Sequence, residues 1–481
     1  MPRKGFTRRF KPLDLASQEH ILEICKATRH VLENTGVRFE SQWAIEFLEK
    51  HGCKVDQENL RVRFPDTLVE ECLRSAPCCF TVRARNPEND LALGGETLYF
   101  SHSSGMKTID LATFEPREPT QSEYADCIRV LDALPTIDHL GCYPYFGYQG
   151  VCPAMAIPEG VALGMRYSSK HQAACCSNDC EIFTIPMAQA TDQELTGTIT
   201  SSSPLVWSES AVNAARRMVE AGFPITTVDG CVLGGSGPAT IAGSVVVSNA
   251  EHLAMIVLVQ LLNPGHRICI GHFALAMNMA SGSPAFGQIT SSLSNAVFNQ
   301  VWRHYGLPVN DGSPGYVTAK TMDYQAGYEK ATGAMAAALS GAHTILLHLG
   351  ISSEITAHPV QAILDDDIAE MVGRFVEGEP VDAETIALDL IEQVGPIPGH
   401  YLNKAHTRKW WRKEQYVPRV GDKLTYPEWL AKGKPSALDY ARERLEEILA
   451  KPSVPPLTPT QEADVARILG EAREYYRAWR S

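Results

Sequence analysis

The stretch PITTVDGCVLGGSGPATIAGSVVVSNAEHLAMIVLVQLLNPGHRICIG, residues 224–271, reads as strand, helix, strand. Its ends, PITTV at 224–228 and RICIG at 267–271, are short and apolar, whereas 240–262 is far too long for a strand and carries helix-forming residues. Two strands joined by such a crossover run parallel, because a tight turn connects only antiparallel neighbours. The same alternation recurs on both sides. Strands are predicted at 97–101, 137–142, 172–176, 203–207, 224–228, 267–271, 308–311 and 343–347. Helices are predicted at 121–133, 154–168, 181–191, 209–220, 240–262, 293–305 and 322–340, with another after 359. Eight strand-then-helix units close a sheet on itself and leave no edge, so the predicted class is α/β, a TIM-type (β/α)8 barrel. An open doubly wound sheet is the alternative, but its strand–GxGxxG–helix fingerprint is absent. GGSGP at 234–238 lacks the spacing and lysine of a phosphate loop and reads as a tight turn. The barrel is expected over 95–394, with a helical and mixed cap over 1–94 and a helical extension over 395–481.

Composition narrows the function classes. The chain of 481 residues is 44% apolar and 21% charged, as in compact proteins, and its net charge of -13 gives no electrostatic reason to expect nucleic acid. Thirteen cysteines follow no repeated ligand spacing, so free thiols in a reducing compartment are expected, and no metal site. The apolar run AMIVLVQLL at 254–262 is too short to span a bilayer, and residues 1–20 lack a secretory apolar stretch; the expected location is cytoplasmic, without a membrane partner.

In a closed barrel the carboxyl ends of the strands, and the loops after them, form the active face. GCYPYFGYQG at 141–150 places Tyr143, Tyr145, Phe146 and Tyr148 there, and Trp207 and Phe273 follow other strands. Aromatic faces attract a cation without a directed hydrogen bond, so these rings suit a quaternary ammonium; they equally suit loop packing. His348 and His272 lie just past two strands and can meet a carboxylate, His348 being the first candidate. Asp229, Asp311 and Gln288 are expected to organise a polar wall, and Tyr316 and Glu354 occupy comparable positions.

Three stretches carry a family resemblance: YFSHSSGMKTIDLATFEPREPT at 99–120, TTVDGCVLGGSGPATIAGSVVVSNAE at 226–251 and GHYLNKAHTRKWWRKEQYVP at 399–418. The chain resembles the trimethylamine methyltransferase-like family over roughly residues 10–478. That resemblance implies a barrel enzyme transferring a methyl group from an amine to cob(I)alamin, the cofactor being held by a separate small corrinoid protein. The methylamine-specific member uses pyrrolysine inside its barrel, whereas this chain contains only the twenty standard residue types. The departure points away from trimethylamine and toward glycine betaine, with proline betaine, carnitine and γ-butyrobetaine as related donors. A homo-oligomer is also expected. The residues alone leave open a metal-independent lyase or hydrolase, and a noncatalytic corrinoid-binding or regulatory protein.

Overall fold

The computed structural model describes residues 4–273, 275–452 and 454–478. Eight parallel strands form the barrel: β1 Thr97–His102, β2 His139–Leu140, β3 His171–Cys175, β4 Leu195–Thr200, β5 Ile225–Val228, β6 Ile268–His272, β7 Val309–Asp311 and β8 Thr344–His348. They pair in the order β1-β8-β7-β6-β5-β4-β3-β2. A parallel bridge between Phe100 and Ile137 joins the two ends, reinforced by Asp138 N donating to Phe100 O at 2.9 Å. The outer helices are α1 Gln121–Ala133, α2 Ala156–Tyr167, α3 Glu181–Ala190, α4 Glu209–Glu220, α5 Ile241–Leu262, α6 Ile289–Tyr305, α7 Tyr324–Ser340 and α8 Pro359–Val376.

One predicted strand is misplaced. The fourth barrel strand is LTGTIT at 195–200, not SPLVW at 203–207. Val206 and Trp207 instead pair with Val37–Phe39 in a sheet of the amino-terminal cap. Trp207 is fully buried there, its Nε1 donating to Glu251 O at 3.0 Å, so it is not at the barrel mouth as the sequence suggested.

The cap also explains α5. A surface helix is apolar on one stripe, whereas α5 is apolar nearly all round and is long and apolar enough to cross a membrane. Its inner face meets the barrel, and its outer face is covered by the cap helices Gln18–His30 and Asp66–Ser75. It is therefore a core helix, with 78% of its most apolar window buried. Farther along the cap, the hairpin Phe80–Val82 and Leu91–Leu93 closes the amino-terminal end of the barrel. Arg83 O is bonded to His171 Nδ1 at 2.9 Å, which fixes the hairpin to the first residue of β3.

The carboxyl-terminal extension packs on the barrel. Helix Ala437–Leu449 lies against α8 and α1, and Pro459–Ala478 against α3 and α2. Arg166 pairs with Glu462 at 2.6 Å, and Tyr476 OH donates to Asn178 O at 2.6 Å. Between α8 and these helices, the short helices Ala383–Ile386, Leu388–Val394, Ala405–Glu414 and Tyr426–Ala431 bury no residue of their own.

Burial of so many imidazoles carries a cost in acid. Seven histidines (102, 139, 171, 266, 343, 348 and 358) are pushed by burial down to about 3 or 4. The unfolded chain protonates these rings below pH 6.5, the folded one does not, and stability is lost as pH falls from there. Asp138, Glu251 and Asp311, pushed by burial up to about 7, act with the opposite sign because only the folded state keeps their protons. Burial raises Glu181, Asp365 and Asp366 as well, so the buried carboxyls and the buried imidazoles oppose one another as the pH falls.

Candidate active site

The barrel is hollow. Barrels of this class usually fill their interior with branched aliphatic side chains. Here the inward positions include Gly141, Ala173, Gly271, Thr196, Thr198 and Thr226, and they leave a cavity of about 500 Å³. Its floor is Val82, Leu91 and Leu93 of the hairpin, its middle carries His139, His171, Asn310 and Thr344, and its mouth carries Tyr143, His272, Phe273, Tyr316 and Glu354. Small and polar inward residues are also why β4 looked unlike a core strand: LTGTIT sends Thr196, Thr198 and Thr200 to the cavity.

Three rings rim the mouth. Phe273 and Tyr316 meet edge to face with centroids 5.0 Å apart, and Phe286 supports both at 6.1 Å. Tyr316 OH accepts Ser104 N at 3.1 Å, which fixes its orientation. Tyr143 lines the same mouth and is backed by Phe146 at 5.5 Å. Burial pushes both phenols well above their ordinary range, so they stay neutral. Glu354 is exposed on the rim, and desolvation by its surroundings raises its carboxyl. Contact with water limits that effect.

The loop that presents Glu354 is held in a strained shape. Leu349, Ser352 and Ser353 have φ of 90°, 56° and 64°, in the left-handed region. Ser352 N and Ser353 N donate to Ala319 O and Val317 O at 2.8 and 2.6 Å, and Leu349 N donates to Asp365 Oδ2 at 3.0 Å. Behind it, Ser103 Oγ accepts Gly350 N at 3.0 Å and lies 3.1 Å from Gly315 O. A Cβ on Gly350 would stand 2.5 Å from that hydroxyl, so only glycine permits the approach.

His272 forms one side of the wall. Its Nδ1 is 2.8 Å from Asp229 Oδ1 and its ring stacks on Phe298 at 4.0 Å. Asp229 also accepts Ser248 Oγ at 2.6 Å and Phe273 N at 3.2 Å, so one buried carboxylate orients both the imidazole and a rim ring. Burial alone would raise Asp229, but His272 and His252 hold it well below the usual carboxylate range.

Of the residues singled out from sequence, Tyr143, His272, Phe273, Tyr316 and Glu354 line the cavity and Asp229 stands directly behind it. The others are elsewhere. Tyr145 is buried against Tyr124 at 5.8 Å, and Tyr148 packs on Tyr124 at 5.9 Å while its hydroxyl donates to Glu159 at 3.1 Å. Phe146 is behind Tyr143. His348 is fully buried, with Nε2 2.9 Å from Thr136 Oγ1 and Nδ1 3.3 Å from Ser101 O, so it cannot reach a molecule in the cavity. Asp311 is buried behind the wall, accepting Asn295 Nδ2 at 2.5 Å, and Gln288 is exposed at the start of α6. Of the remaining lining residues, His139, His171, Cys175 and Asn310 lie along the strands, and Cys142 lies on a bend just past β2.

Residues 2–469 match the trimethylamine methyltransferase (MTTB) family. The chain belongs to the trimethylamine methyltransferase family. A glycine betaine methyltransferase of Desulfitobacterium hafniense is 32% identical over 475 residues, covering 95% of this chain and 97% of that protein. A trimethylamine methyltransferase of the same species is 29% identical over 480 residues, covering 97% and 95%. Among solved structures, the monomethylamine methyltransferase of Methanosarcina barkeri aligns with 89% of this chain and 92% of its own, at 10% identity and a TM-score of 0.49. As a member of the trimethylamine methyltransferase family the chain is a methyltransferase.

Proposed function

We propose that the chain transfers a methyl group from a quaternary amine, glycine betaine foremost, to cob(I)alamin carried by a separate corrinoid protein. The observation that carries this reading is the deep cavity rimmed by Tyr143, Phe273 and Tyr316, with one carboxylate at its edge. The aromatic faces hold a trimethylammonium group without a tight salt bridge. That matters because positive charge leaves nitrogen as the methyl departs, and an anion pressed against it would stabilise the bound donor more than the transition state. The corrinoid supplies a two-electron nucleophile, and the leaving group is already a neutral tertiary amine. This chain therefore needs to orient the donor and keep competing water away, not to deliver a proton. His272 and Asn310 face the donor's carboxylate from the wall.

Glu354 draws the cation to the mouth. Glu354→Gln is expected to raise KM for the amine about tenfold with little change in kcat, since the loss concerns binding common to ground and transition states. With wild type, KM is expected to rise as acidification protonates Glu354, beginning at a higher pH than for a free glutamate because its carboxyl is raised. Steady-state kinetics across pH check both points.

The deciding assay mixes purified chain, reduced corrinoid protein and a panel of quaternary amines, and follows methyl-cobalt formation together with the demethylated amine. Glycine betaine is expected to give dimethylglycine. Equal methyl-cobalt formation without the chain would end this reading, and reaction with a different amine alone would change the donor.

A further inference from the structure

We infer that Cys142 and Cys175 form a peroxide-oxidisable dithiol in the cavity wall, a modification site whose disulfide closes the methyl-donor cavity; the closing rests on the proposed function, the bond itself does not. Both side chains line the cavity, in contrast to Cys176 and Cys180 close by in sequence. Cys180 Sγ is turned instead to Cys175 O at 3.2 Å and Cys176 Sγ to Ala174 O at 3.7 Å.

Backbone placement suits a bond. β2 and β3 pair in parallel with His139 opposite His171 and Leu140 opposite Gln172. Cys142 lies on a bend two residues past the end of β2, Cys175 is the last residue of the neighbouring β3, and both line the cavity. Neighbouring strands lie about 4.8 Å apart and an offset of one residue adds about 3.3 Å along them, so adjoining positions on two strands stand about 5–6 Å apart. Disulfides most often span about that distance.

The two thiols are close enough to influence each other's protonation, and Thr198 on β4 lines the same wall. Cys175 and Thr198 together lower the Cys142 thiol below its ordinary value despite burial, and Cys175, beside that sulfur, is raised and keeps its proton. Cys142 attacks first and Cys175 resolves, and exchanging the two roles gives the same disulfide. Attack of the Cys142 thiolate on hydrogen peroxide breaks the O–O bond, leaves a sulfenic acid and releases hydroxide, which takes up a proton to become water. Cys175 sulfur then displaces the sulfenic oxygen, its proton leaving with that oxygen as a second water. In sum, two thiols and one peroxide become one disulfide and two waters. A dithiol such as dithiothreitol returns the two electrons and is itself oxidised to a disulfide.

Bridge formation draws the chain carrying Tyr143, next in sequence to Cys142, toward β3 and displaces a rim ring. A donor site that closes on oxidation spares substrate when the reduced acceptor is itself destroyed by the same oxidant.

The test treats the full chain with graded hydrogen peroxide, blocks remaining thiols with N-ethylmaleimide, and maps cross-linked peptides by mass spectrometry without reduction. A Cys142–Cys175 peptide is expected that dithiothreitol abolishes and that Cys142→Ser and Cys175→Ser each lack. The exposed Cys78 and Cys79 report the oxidant dose. Their oxidation with no Cys142–Cys175 peptide, or bridging of either residue to Cys176 or Cys180 instead, overturns the site. Titration calorimetry with glycine betaine is expected to show binding about tenfold weaker in the bridged protein, restored by dithiothreitol. Unchanged affinity in the bridged form overturns the closing. If the reduced protein binds no quaternary amine, the proposed function fails, while the peptide map still decides the dithiol.

Discussion

Lys330→Met is expected to lower the stability of the protein by about 3–5 kcal/mol, read from denaturant unfolding. Lys330 and Asp365 are both fully buried and lie 3.1 Å apart. The ammonium also donates to Leu347 O at 2.7 Å and to Gly315 O at 3.1 Å, and the carboxylate accepts Leu349 N and Gln361 Nε2 at 3.0 and 2.8 Å. Removing the cation leaves a buried carboxylate unpaired, which is the costly half of breaking such a pair. A double replacement, Lys330→Met with Asp365→Leu, is expected to recover much of the loss, because no charge is then stranded. Activity should not recover with it. Gly315 precedes Tyr316 and Leu349 opens the strained loop to Glu354, so the ion pair anchors two sides of the mouth as well as the core.

Asp229→Ala is expected to reduce kcat/KM for methyl transfer by about a hundredfold, the size of effect that a shift of about 1 Å in bound geometry can produce. The residue touches no donor. It positions His272 and Phe273 through the bonds at 2.8 and 3.2 Å, and it is held in turn by Ser248. Asp229→Asn separates orientation from charge. Its amide oxygen can still accept from the imidazole and from Phe273 N, with its amino group directed at Ser248, so activity within about tenfold of wild type is expected if orientation is what counts. An asparagine variant as impaired as the alanine one would assign the effect to the negative charge instead.

The barrel was legible wherever inward residues were ordinary strand formers, as in ITTV and ICIG, and lost where the cavity replaced them. LTGTIT has threonines at period two, a half-buried strand pattern, but the nearby apolar SPLVW was the stronger local signal. Only the three-dimensional cap reveals that SPLVW is buried by another sheet. The aromatic cluster at 143–148 was a sound pointer to the mouth, yet one of its four rings reaches the cavity, since consecutive loop side chains point in different directions and α1 and α2 supply a core for the rest. His272 and His348 occupy matching places at the ends of their strands and cannot be told apart by position. Asp229 turns one toward the cavity, whereas Thr136 and Phe100 enclose the other.

The hairpin of Val82, Leu91 and Leu93 has a kinetic meaning. A vessel stoppered at its base fills and empties through its neck, and under the proposed function the neck is also where the corrinoid would dock. On that reading the amine would enter before the protein partner arrives and the demethylated amine would leave only after it has gone, a compulsory order imposed by a plug at the far end of the barrel.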